Sequence, residues 1–242
     1  MTLHLNDSLI MTTTPSEFFA PLRRRPQYTT KRQGEFYSYE YYREHFRHEI
    51  AEDCIERCVY CDCHENEMGG RESMELDHFR PWSIAQFADL KNHPTNLHHA
   101  CSRCNRLKAA NWPSSNQGEC HDGLVGFVDP FNDDRRNYFG VAPDGAIICL
   151  RHPATYMVRL LALDRPLLKL LRVRRMLRKE VAAYVQNLLP QIEAVLAGSG
   201  TLSKEALAAE WLKFRDYQRL LDLCDAPLRS KGLQMRLKVQ EQ

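Results

Sequence analysis

Apolar residues recur every three or four positions at Leu167, Leu170, Val173, Leu177, Val181, Tyr184 and Leu188. That spacing predicts an amphipathic helix, and Pro190 marks its expected end. A second helix is predicted from Ser203, with the serine as N-cap and Glu205 in the first turn. Upstream the pattern is shorter and more broken. Residues 36–55 suit a helix that carries several aromatics. ESMELDHFRPWS (72–83) reads as a strand stopped near Pro81, SIAQFADLKN (83–92) as a short helix, and NLHHA (96–100) as an extended segment. NRLKAANW then reads as helical, and Pro-Asp-Gly between NYFGVA and AIICL is a hairpin signal. Residues 1–35 are rich in Thr, Pro and Arg without a period, and read as an arm. The expected organisation is an arm over 1–35, a domain with its following hairpin over 36–150, and a helical region over 151–242, in the α+β class.

Composition changes this picture little. Hydrophobic residues make up 43% and charged residues 26%, ordinary for a soluble globular chain, and the formal net charge of +2 announces no polyanion partner. No window approaches the roughly 18 apolar residues that a membrane helix needs. The first residues lack the basic start and apolar run of a secretion signal. A cytoplasmic protein without a membrane partner is the expectation.

The nine cysteines change it more. In a reducing compartment, clustered cysteines point to metal rather than to disulfides. Cys58 and Cys61 form one CxxC pair, and Cys101 and Cys104 form another. Two intervening residues let a tight turn present both sulfurs to one ion, so the pairs suit a tetrahedral structural Zn²⁺. Buried thiols or a redox pair are the competing reading, and Cys63, next to the first pair, is an alternative to one of the four as ligand. Residues 62–100 are inserted between the two pairs, and the insert carries Asp77 and His78. In a strand such neighbours face opposite ways.

CVYC, then ELDHFRPWS, then NLHHACSRCNRLK resembles the HNH endonucleases, the zinc-knuckle branch of the ββα-metal nucleases. The resemblance covers about residues 55–112. It implies a ββα-metal nuclease core pinned by a four-cysteine zinc site, with His78 as the general base that activates water. Asp77 and Asn105 are implied as ligands of a single catalytic divalent ion, and Asn96 as the residue that orders the loop behind the histidine. It further implies cleavage of DNA, in a restriction or antiviral defence setting in which some such proteins pair with an ATPase or sensor subunit. An RNase, for example one acting on tRNA, and a catalytically silent nucleic-acid-binding or assembly subunit remain as alternatives.

The chemistry fits these residue types. Histidine accepts a proton near neutral pH. Carboxylate and amide oxygens suit Mg²⁺ or Mn²⁺, whereas thiolates select zinc, so two ligand sets sort two metals. Lys108 follows Asn105 by three residues on the same helical face and is expected to reach substrate phosphate. Arg172, Arg174, Arg175 and Arg178 crowd one helix; they are either a solvated face or a phosphate-tracking surface, and Arg23–Arg25 form a similar patch. His98 and His99 read as structural or substrate-facing, Glu75 as a solvated neighbour of Asp77 or a support for the metal, and Trp82 and Trp112 as core rather than base-stacking.

Overall fold

The structure, a computed structural model, describes residues 18–198 apart from 27, 32, 115 and 117, together with residues 203–225. Most of the expected arm, Arg32 and the side chain of Cys224 lie outside these described residues.

The aromatic segment forms two short helices rather than one. α1 spans Tyr39–His45 and α2 spans Arg47–Asp53, and Phe46 (φ −122°, ψ 10°) breaks the helical run between them. Ser38 caps α1 by accepting the amide of Tyr41. The break lets Tyr42 and Ile50 both turn inward, where they join Tyr28, Leu76 and Leu97 in a buried cluster ringed by Phe36, Tyr37, Tyr39 and Phe46.

β1 (Met74–His78) and β2 (Leu97–Cys101) pair antiparallel, with Asp77 opposite His98 and His78 opposite Leu97. Side chains alternate across this two-stranded sheet. Leu76 and Leu97 therefore share the face covered by α1 and α2. Glu75 and Asp77 share the other, which α3 (Ser102–Lys108) covers through Asn105 and Lys108. The helix expected from Asn105 begins three residues earlier, because Cys101 Sγ caps it by accepting the amide of Cys104 at 3.4 Å. It also stops earlier than the sequence suggests. Ala109 adopts φ +46°, and the Asn111 amide and side chain both return to the Lys108 carbonyl at 3.0 and 2.9 Å. Alanines favour helix intrinsically, but this turn satisfies a carbonyl that the helix end leaves open.

The Pro-Asp-Gly signal does mark a hairpin, β3 (Phe139–Val141) with β4 (Ile147–Cys149). Gly145 at φ +81° is required there: a Cβ would sit 2.1 Å from the Lys169 carbonyl oxygen. α4 (Ala154–Leu160), α5 (Pro166–Leu196) and α6 (Lys204–Asp225) follow. Pro190 does not end α5, which runs through it. Proline removes one backbone donor, and the turns on either side carry the helix past the lost bond. α6 begins as expected, with the Ser203 hydroxyl accepting the amide of Ala206.

The described residues fall into two compact units. One holds the described residues up to 142 and residues 146–168, and so includes α4 beyond the expected boundary at 150. The other holds residues 143–145 with α5 from Lys169 and α6. Among the described residues no helix is long and apolar enough to cross a membrane.

Candidate active site

The two CxxC pairs meet. Cys58, Cys61, Cys101 and Cys104 are buried with their sulfurs all within 4.8 Å of one another, and Cys61 Sγ lies 3.9 Å from Cys101 Sγ. Four sulfurs about 2.3 Å from a zinc ion stand ~3.8 Å apart at the corners of a tetrahedron, so the cluster fits a structural zinc. A disulfide needs a separation near 2 Å and does not fit. Burial pushes the Cys58 thiol well up, whereas hydrogen bonds from Cys101, Cys104 and Cys58 draw Cys61 well down. Cys63 is not one of the four, although its thiol reaches Cys61; its carbonyl accepts the Cys58 amide at 2.9 Å and closes the knuckle turn.

Two arginines, one of them (Arg165) part of the basic run before α5, support the knuckle. Arg165 places its guanidinium 3.9–4.0 Å from the sulfurs of Cys104 and Cys101. Arg135 is buried and donates to the carbonyls of Val59 (3.0 Å) and Ala20 (2.7 Å). Neither is visible in sequence, because the first lies 61 residues beyond Cys104 and the second 76 beyond Val59.

An open cleft of about 480 Å³ lies at the end of β1. Asp77, His78 and Asn105 all line it, with Tyr39, Trp82 and Lys91. Asp77 and His78 obey strand alternation and still share the space, because the cleft wraps around the strand end. Asp77 is buried (4% exposed). One carboxylate oxygen accepts the Tyr60 hydroxyl and the other accepts Lys108 Nζ at 3.1 Å. Tyr60, the third residue of CVYC, was not anticipated in this role. Each carboxylate oxygen has a second lone-pair direction. The Asn105 side-chain nitrogen donates to Glu75, which leaves its oxygen as the donor atom for a cation. Carboxylate and amide oxygens are hard donors of the kind that suit a divalent ion.

His78 Nε2 lies 2.8 Å from the Lys91 carbonyl oxygen. A carbonyl only accepts, so Nε2 carries the proton and Nδ1 holds the lone pair. Burial draws His78 below the ordinary imidazole range, opposed by the Lys91 carbonyl and by Asp77. Burial thus favours the neutral form of the ring, with the lone pair on Nδ1. Asn96 does not line the cleft. It is buried behind it, accepting the Arg80 amide (2.8 Å) and donating to the carbonyls of Arg80 (2.9 Å) and Leu90 (3.3 Å). It braces the turn after His78.

Several expectations need correction. Lys108 is fully buried, bound to Asp77 and to the His78 carbonyl at 2.8 Å, so it does not present its charge to a phosphate. Arg172 is also buried and donates to the Gly145 carbonyl at 2.9 Å; Arg174 and Arg175 are half-buried, and only Arg178 of this set is exposed. Arg24 bridges the carbonyls of Pro94, Thr95 and Leu97, and Arg25 pairs with Glu52. Glu75 is not a solvated neighbour, since it holds Asn105. His98 and His99 are buried and structural: His98 stacks on Phe79 at 4.8 Å, and His99 lies 3.3 Å from Glu65. Trp112 is a core residue packed among Phe79, Phe87 and Phe127, but Trp82 is not, being 44% exposed at the cleft.

A two-stranded antiparallel sheet, a following helix and a four-thiol clamp around an Asp-His pair define a ββα-metal domain. Residues 58–111 match the family model of the HNH endonucleases, and this part of the chain is an HNH domain. No curated protein and no solved structure matches the chain.

Proposed function

We propose that the protein is a metal-dependent endonuclease that hydrolyses phosphodiester bonds, with DNA as its substrate. The observation that carries this reading is the His78 imidazole. Its Nε2 lies on the Lys91 carbonyl, which leaves Nδ1 as the base, and it lines the same cleft as Asp77 and Asn105. In the proposed reaction Nδ1 takes a proton from a water whose oxygen bonds to phosphorus. The bond from phosphorus to the leaving oxygen breaks, and that oxygen is protonated from solvent. Asp77 and Asn105 are the residues that would hold a Mg²⁺ or Mn²⁺ ion, which supplies charge stabilisation at the phosphate and the leaving oxygen. Asn96 and Tyr60 hold the Arg80 turn and the Asp77 carboxylate in place. The restriction or phage-defence setting, and a partner ATPase or sensor, rest on the family resemblance.

The test uses plasmid DNA, single-stranded DNA and tRNA with Mg²⁺ or Mn²⁺, comparing wild type with His78→Ala. Loss of the base is expected to slow cleavage of DNA by roughly 10²–10⁴-fold. Equal cleavage by both proteins would overturn the assignment of His78, and cleavage confined to tRNA would replace DNA by RNA as the substrate.

A further inference from the structure

The cleft carries aromatic surface that the hydrolytic chemistry does not use. Tyr39 and Trp82 flank His78, with ring centroids 4.7 and 6.3 Å from the imidazole. Tyr39 is pinned: its hydroxyl donates to the Leu76 carbonyl at 3.1 Å and its amide to the Asn92 side chain at 3.0 Å. Trp82 sits inside a turn closed by the Ile84 amide and the Pro81 carbonyl at 3.0 Å. Lys91 Nζ lies over its ring, 4.9 Å from the centroid, yet 44% of the residue remains open to solvent. Exposed aromatics are ordinary when scattered over a surface. This one lines the same cleft as the proposed base and is oriented by a turn and a cation.

Resting on the nuclease reading of this site, we propose that Trp82 is a stacking platform for an unpaired base next to the scissile phosphate, so that the preferred substrate is single-stranded or locally unpaired. Base-on-aromatic stacking tolerates any sequence because every base has a π face, and it works beside a cation that follows the backbone. Lys91 supplies that cation. In an intact duplex both faces of a base are covered by its neighbours, so a base reaches Trp82 only when it is unpaired or turned out of the stack. The cleft volume of about 480 Å³ falls within the range of roughly 300–1,000 Å³ typical of sites that hold one small molecule, a scale that suits one nucleotide and not a duplex.

The experiment uses the full chain carrying His78→Ala, so that bound substrate stays intact. A single-stranded deoxyoligonucleotide with 2-aminopurine, its ribose counterpart, and a matched duplex are titrated against this protein. The same titrations follow with Trp82→Ala, Trp82→Phe or Trp211→Ala added; Trp211 is an exposed tryptophan on α6. Trp82→Ala is expected to abolish 2-aminopurine quenching and to weaken single-strand binding roughly 5- to 150-fold, with duplex binding unchanged. Trp82→Phe and Trp211→Ala are expected to retain the quenching, which also shows that the fold survives. In the His78-intact protein, Trp82→Ala should erase a preference for unpaired over duplex substrate. Unchanged quenching in Trp82→Ala, an equal loss on duplex, or no binding by any form overturns the proposal. His78-dependent cleavage that ignores Trp82 defeats stacking alone. Trp82-dependent quenching without His78-dependent cleavage defeats the nuclease reading alone. A matching effect on the ribose strand extends the site to RNA.

Discussion

Lys108→Met tests the buried contact that holds Asp77 behind the cleft. Lys108 is 0% exposed and donates both to Asp77, at 3.1 Å, and to the His78 carbonyl, at 2.8 Å. Methionine keeps much of the volume and removes both donors. Asp77, itself 4% exposed, then keeps only the Tyr60 hydroxyl as partner. Breaking a buried pair by removing one ion costs about 3–5 kcal/mol, because the remaining charge stays desolvated. At ~2–4 °C per kcal/mol for a chain of this size, the melting temperature should fall by ~6–20 °C. Adding Asp77→Asn removes the stranded charge, so the double variant should be more stable than Lys108→Met alone. Thermal and urea unfolding of wild type, Lys108→Met, Asp77→Asn and the double variant, followed by tryptophan fluorescence, closes the cycle. Two results would refute the reasoning: a Lys108→Met variant within ~0.5 kcal/mol of wild type, or a double variant in which the two losses simply add. Either would return Lys108 to the surface and to the phosphate role that its sequence position suggests.

Two further outcomes are expected. Burial holds His98 well below the ordinary imidazole range, so the native state excludes a proton that the unfolded chain takes up near pH 6.5. The unfolded state therefore binds more protons below that pH. This histidine's contribution to stability is lost as pH falls through ~6.5, at up to ~1.4 kcal/mol per pH unit. Urea titrations at stepped pH should show a shallower acid slope in His98→Phe, and an identical slope would contradict the assignment. Separately, Cys104→Ser should lose bound zinc and unfold at lower temperature, whereas Cys63→Ser should keep its zinc; elemental analysis of the purified variants decides, and zinc retained by Cys104→Ser would exclude the four-thiol site.

The parts of the site legible in sequence were those fixed by short spacing. The CxxC pairs, the Asp-His pair at a strand end and the hairpin turn each depend on a few adjacent residues. What sequence left hidden depends on direction in space. The i to i+3 step from Asn105 correctly put Lys108 on one helical face, but not that this face is the one lying on β1. Arg165 and Tyr60 act across gaps or through a side chain that reads as ordinary core. Pro190 and the Ala109 turn misled because local propensity is weak beside the bonds that neighbouring residues complete. Trp82 misled for a related reason: tryptophan is usually buried, and only the position of the Pro81 turn shows that this one is not.

Cys101 does three jobs at once: it ends β2, caps α3 with its sulfur, and belongs to the thiol cluster. α3 in turn carries Asn105 to the cleft and Lys108 to the buried side of Asp77. A zinc ion held by these thiols would thus fix the first turn of the helix that shapes the cleft, from outside the cleft itself. In kinetic language, a zinc chelator should behave as an inhibitor that added substrate cannot outcompete, lowering the amount of working enzyme and leaving the KM of the remainder unchanged.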